Sequence, residues 1–104
     1  DGPTASLFPG SPAIREQQRW VMAGRVEKLD AWRLTLTPRV INNARHVLFL
    51  ATGAEKAETV RVVLEGSVVP DRLPAQIVRP AYGRLEWLLD RDAAGRLSRY
   101  ALYH

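Results

Sequence analysis

Between residues 31 and 37 the chain alternates, with Trp32, Leu34 and Leu36 set against Arg33, Thr35 and Thr37. A period of two predicts a strand over Ala31 to Thr37 with one more apolar face. Thr37 stands before Pro38, which places a capping hydroxyl ahead of proline at a first helical position. Val40, Ile41 and Ala44 follow at helical spacing, so a short helix is expected to end near Arg45. The next stretch, His46 to Thr52 (HVLFLAT), is apolar almost throughout and too short for most helices. It reads as a central strand covered on both faces. Gly53 breaks it, and Ala57, Val60 and Leu64 repeat at helical spacing until Gly66 supplies a stop signal. The unit is strand, glycine turn, helix.

Glycines and prolines punctuate residues 65 to 84, which predicts loop with one short helical turn around Leu73 to Ile77. Leu85, Trp87 and Leu89 alternate again up to Asp90, which can cap a last helix with Ala93, Ala94, Leu97, Tyr100 and Ala101 on one face. Trp20 to Val26 has the composition of a strand, and Pro3 to Phe8 that of a short helix closed by Pro9 and Gly10. Strands alternating with helices predict an α/β layered sheet with flanking helices, in a single domain spanning residues 1–104. No repeat or low-complexity tract interrupts it.

The 104 residues suffice for one core without staples, and the absence of cysteine excludes thiolate metal sites, thiol nucleophiles and disulfides. No apolar run is long enough to cross a bilayer, and DGPTASLFPG lacks the regions of a signal peptide, so a soluble, cytoplasmic chain is expected. The formal charge of +4 is carried almost wholly by arginine, whose rigid fork of donors suits phosphate or carboxylate. Spread along the chain without a basic run, these arginines read as a solvated surface and not as a nucleic-acid interface. Arg33 differs, because its strand is flanked by Trp32 and leads into the Thr37–Pro38 helix start, where it could face a cleft.

Two further places could hold chemistry. Gly2 permits close backbone approach, Pro3 suits a first helical turn, and Thr4 and Ser6 bring hydroxyls beside backbone donors, which is either an anion site or a plain capped helix. At Gly53-Ala54-Glu55-Lys56, a lysine sits in the first helical turn at the carboxyl end of a buried strand, where ligands of α/β sheets gather. Lys56 is a candidate phosphate ligand; otherwise Glu55 and Glu58 offset it as surface charges. His46 and His104 are isolated and make neither a metal site nor a triad.

DGPTASLFPGSPA resembles the DGHTASLFPGSP signature of the 6-phosphogluconolactonases, hydrolases that convert 6-phosphogluconolactone to 6-phosphogluconate in the pentose phosphate pathway. The resemblance continues in order through RLTLTPRVINNAR, VLFLATGAEKAETVRVVLEG, LPAQIVRP and WLLDRDAA, and so covers nearly the whole chain. It implies a partial Rossmann-like, glucosamine-6-phosphate deaminase-like fold whose amino-terminal half, with the phosphate loop, is missing. Either the domain is trimmed or another chain supplies that half. The implied ligand is the sugar phosphate, without cofactor or metal, and the GxxKA-type turn makes Lys56 its phosphate ligand. With Arg33, the expected substrate-binding residues are Asp1, Gly2, Thr4, Arg33 and Lys56. The family's catalytic histidine, the general base, aligns with Pro3, which has no titratable group, so the chain is expected to be inactive alone. The alternative is a non-catalytic module that binds a sugar phosphate or pairs with a second chain, as a homodimer or with a chain supplying the missing half. Nucleic-acid and membrane partners are not expected.

Overall fold

A computed structural model describes residues 3–69 and 71–98. Strands β1 (Val21–Val26) and β2 (Ala31–Leu36) form an antiparallel hairpin with Val21 opposite Leu36 and Val26 opposite Ala31. A short 3-10 turn, Glu27–Leu29, joins them and ends at Asp30 in the left-handed conformation (φ 48°), which aspartate tolerates better than most residues. Helix α1 (Pro38–Ile41) follows, then strand β3 (His46–Ala51), a 3-10 turn over Ala54–Lys56, helix α2 (Ala57–Glu65), a 3-10 turn over Pro74–Ile77 and strand β4 (Arg84–Leu89). β4 returns parallel to β3, with His46 beside Arg84 and Ala51 beside Leu89, so β3, α2 and β4 form a strand–helix–strand crossover. The expected mixture of helices and strands is present, with two sheets of two strands each among the described residues.

Each sheet has its own core. Leu7, Ala13 and Ile14 cluster with Met22, Ile41 and Ile77 beside the hairpin; Val60, Ala94 and Leu97 cluster with Ala51, Leu64 and Leu89 between α2 and the parallel strands. Phe49 and Trp87, neighbours across the parallel pair, stack with ring centroids 4.2 Å apart. No helix among the described residues is long and apolar enough to cross a membrane.

Six local expectations need correction. Residues 3–8 form no helix: the Leu7 amide donates to the Thr4 carbonyl across a tight turn with Ala5 at φ 52°, which drives Leu7 fully into the first core. A helical turn forms later, at Pro12–Arg15, where the Ser11 hydroxyl caps the Ala13 amide. The helix expected to reach Arg45 stops at Ile41 because Asn42 turns its side-chain amide outward, donating to the Ile77 carbonyl and accepting from the Arg79 amide. Thr37 does not cap that helix; its hydroxyl donates to the Arg19 carbonyl instead.

The fourth correction concerns the faces of β2. Trp32 and Leu34 are about 70% exposed (69% and 73%), whereas Thr35 and Thr37 are buried. The polar face of the alternation points inward because its hydroxyls find partners there. The fifth is β3, which among the described residues pairs with β4 alone and is covered by α2 on one face; Leu48 and Leu50, on the other, are exposed. Asp90 does cap its own turn, its carboxylate accepting from the Ala93 amide at 2.7 Å. The sixth is the last helix, which does not form over residues 91–98: they run as successive turns with Ala93, Ala94 and Leu97 buried, and Tyr100 and Ala101 lie outside the described residues.

Candidate functional site

The polar face of the hairpin is where the amino-terminal loop docks. The buried Thr35 hydroxyl accepts from the Ser6 amide at 3.1 Å and donates to the Leu36 carbonyl at 2.8 Å, so β2 pins the turn that follows Thr4. Beside this contact a groove of about 810 Å³ opens between the hairpin and the loop through Ala13. Ser6, Phe8, Met22, Arg33 and Thr35 are among the residues lining it. Arg33 stands opposite Gly24, where a side chain would meet nothing within 4 Å, so the space beside its stem is open. The groove thus offers one free guanidinium, the Ser6 hydroxyl and an apolar floor, a surface suited to an anionic polar molecule.

The second element is the turn after β3. Gly53 takes φ 96°, a conformation that disfavours any side chain, and its carbonyl accepts from the Lys56 amide at 3.1 Å. The Gly53 amide donates to both carboxylate oxygens of Asp90 at 3.2 Å, tying the carboxyl ends of β3 and β4 together. Lys56 projects from this anchored turn at the start of α2 and is exposed. Neither it nor Arg33 enters an ion pair among the described residues.

Glu58, one of the two carboxylates that could have offset Lys56, is engaged elsewhere. It accepts from Arg61 at 2.5 Å and from Arg96 at 3.1 Å, and the Arg61 hydrogen bond above all holds its carboxyl below the usual glutamate range. Arg61 is correspondingly raised by the same carboxylate. Glu16 is also lowered, chiefly by the Arg19 amide and then that of Gln18.

Of the expected site residues, Arg33 lies in the groove while Lys56 and Thr4 are not among its lining residues. Thr4 is half-buried and its carbonyl is spent on Leu7. Pro3 precedes a turn and not a helix, so no helix amino terminus supplies donors there. Asp1 and Gly2 lie outside the described residues. The residues that the sequence reading passed over are Thr35 and Asp90, the two that hold the candidate turns in place. Their signal was faint: a threonine alternating with leucine, and an aspartate already used as a cap.

A family profile described as glucosamine-6-phosphate isomerases/6-phosphogluconolactonase matches residues 1–87. The chain is 43% identical to the 6-phosphogluconolactonase of Rattus norvegicus over 99 residues, 94% of this chain and 38% of the relative. It is 38% identical to a probable 6-phosphogluconolactonase of Arabidopsis thaliana over 104 residues, 96% of this chain and 39% of the relative. Among solved structures, the 6-phosphogluconolactonase from Trypanosoma brucei superimposes with a TM-score of 0.79 at 38% identity, over 94% of this chain and 39% of that one. The chain therefore spans about two fifths of the length of the relatives it matches. With the profile covering most of its residues, the chain belongs to the glucosamine-6-phosphate isomerase/6-phosphogluconolactonase family.

Proposed function

We propose that this chain carries the phosphate-binding turn and part of the lactone site of a cytoplasmic 6-phosphogluconolactonase of the pentose phosphate pathway, and that it does not catalyse the reaction alone. The observation that carries the reading is Lys56, an exposed cation without a carboxylate partner among the described residues, on a glycine turn fastened by Asp90. A phosphate there gains charge-assisted hydrogen bonds without first breaking an ion pair. Arg33 is a second cation, placed in the hairpin groove that Lys56 does not line.

In the hydrolysis, water adds to the ring carbonyl, the bond to the ring oxygen breaks, and the proton lost by water ends on the departing alkoxide. That step needs a base beside the water. The position where family resemblance expects a histidine is Pro3, which can neither accept nor return a proton. The chain accordingly binds and orients but does not activate water.

Calorimetric titration with 6-phosphogluconate at low salt tests the reading. The expected result is saturable binding that Lys56→Ala abolishes while the melting temperature is unchanged. Absence of binding at millimolar ligand, or equal binding by the variant, would refute it. Pro3→His alone should not create lactonase turnover. A second reading, that the chain works as a pairing module with another polypeptide or a second copy, draws on the exposed apolar face of β3.

A further inference from the structure

Asp90 stands where two backbone segments need an acceptor. Each of its carboxylate oxygens takes the Gly53 amide at 3.2 Å, and Oδ1 also takes the Ala93 amide at 2.7 Å. Its own carbonyl accepts from the Ala94 amide at 3.1 Å. One residue thus joins the turn that carries Lys56 to the turns over residues 91–98. Those turns are in turn seated on α2: Ala94 and Leu97 pack with Val60, and Arg96 donates to Glu58, two residues beyond Lys56, at 3.1 Å.

Charge alone argues against a carboxylate at this place. Under the reading that Lys56 receives a phosphate, on which this inference rests, Asp90 brings a like charge to the anion's own turn, and like charges lower affinity. No cation offsets it, since Asp90 enters no ion pair among the described residues. What the carboxylate supplies is order, because it fixes the amide of a glycine whose φ of 96° few other contacts constrain. Glu55 is the contrast. Its carboxylate lies over Gly53, with an oxygen 3.4 Å from where a side chain there would begin, yet it accepts no hydrogen bond among the described residues.

We infer that Asp90 is a positioning residue: it holds the Gly53 turn in the conformation that presents Lys56 to an anion, and it couples that turn to the docking of residues 91–98. It touches no ligand and acts through the Gly53 amide. An anion that binds only the ordered turn loses apparent affinity in proportion to the fraction of chains that hold the order. Order therefore raises affinity by more than the added negative charge lowers it. By linkage, an anion at Lys56 must also strengthen the contact between Asp90 and Ala93.

The test is titration with 6-phosphogluconate and, separately, inorganic phosphate at low salt, using the parent and three single variants of the whole chain. Asp90→Ala should weaken binding by about tenfold although it removes a negative charge. Asp90→Asn retains an acceptor oxygen and should bind within about threefold of the parent. Glu55→Gln, which removes a carboxylate that holds no amide, should bind equally or more tightly. Each titration is run well below the variant's melting temperature, with circular dichroism matching the parent. Amide exchange supplies the second readout. The Lys56 amide, which donates to the Gly53 carbonyl at 3.1 Å, should exchange faster in Asp90→Ala than in the parent, and saturating 6-phosphogluconate should slow the Ala93 amide in the parent and in Asp90→Asn. Binding by Asp90→Ala as tight as or tighter than the parent's, an Asp90→Asn as weak as Asp90→Ala, or a Lys56 amide indifferent to Asp90→Ala would each overturn the inference. Should Asp90→Ala fail to fold, the affinity of Asp90→Asn and the response of the Ala93 amide to ligand decide. A parent that binds neither anion refutes the phosphate reading alone, and the Lys56 amide then decides whether Asp90 orders the turn.

Discussion

Gln76 offers the sharpest test of what holds the helical layer in place. It is buried, 5% exposed, and every donor and acceptor of its amide that the geometry can use is used. Its oxygen accepts from the Val69 amide at 2.7 Å, and its nitrogen donates to the Ser67 carbonyl at 2.9 Å and the Val62 carbonyl at 3.1 Å. One side chain therefore fastens the last turn of α2 and the loop beyond it. Gln76→Leu keeps the size and removes all three bonds. Ser67 and Val69 are exposed and can turn to water, and the Val62 carbonyl keeps the Gly66 amide at 2.9 Å, so each loss is near the ordinary net value of about 1 kcal/mol. Leucine in the buried site recovers about 1 kcal/mol of apolar transfer, leaving a destabilisation of about 2 kcal/mol. For a chain of this length that lowers the melting temperature by roughly 8–16 °C, measurable by circular dichroism. Amide exchange at Val69 should quicken in parallel. A variant that melts within about 2 °C of the parent would show that the loop is held by something other than this amide.

Three further outcomes follow from the same geometry. Gly83→Ala would place a methyl carbon 2.2 Å from the Ala44 carbonyl oxygen and 2.8 Å from that of Arg45, both backbone. The entry to β4 must move and the Arg84 amide must leave the Arg45 carbonyl, costing about 2–4 kcal/mol in urea unfolding; an unchanged midpoint would contradict this placement. Thr35→Val removes the acceptor of the Ser6 amide at unchanged shape and should cost about 1–2 kcal/mol, with faster exchange at Ser6 as the specific readout. Glu58 has a folded pKa below its unfolded one, so its contribution is complete above the ordinary glutamate range and is lost as pH falls through the folded value. The melting-temperature difference between the parent and Glu58→Gln should therefore be present at pH 7, begin to shrink as pH falls through the ordinary glutamate range, and vanish only below the lowered folded pKa. A difference constant across that range would mean the Arg61 and Arg96 contacts contribute nothing.

Local order was readable wherever the signal was itself local. The break at Gly53, the helix from Ala57 to Gly66, the strand ending at Asp90 and the turn at residues 74–77 each rest on neighbours within a few positions. What escaped was decided across the chain. Alternation in β2 located the strand but not its orientation, because the hydroxyls of Thr35 and Thr37 are satisfied by Ser6 and Arg19, 29 and 18 residues away. The turn at Thr4 depends on Leu7 finding Ala13 and Ile14, which no helical propensity scale registers. For the candidate site, the glycine turn and its lysine were legible from spacing. That Glu58 is drawn off toward Arg96, 38 residues later, was not. The apolar run of β3 was read as doubly covered because both of its faces are apolar; only the structure separates the face that α2 meets from the one that it leaves open.

The shared carboxylate of Asp90 also sets an order of assembly. The Gly53 turn receives its anchor from a residue 37 positions further along, so during synthesis Lys56 leaves the ribosome well before the group that fixes its perch. Closing that contact requires β4 to have docked beside β3, a non-local step that comes late relative to formation of α2. The Gly53 turn is therefore among the last parts of the crossover to become rigid, and a nascent chain arrested before residue 90 would display the lysine without the anchor that fixes its turn.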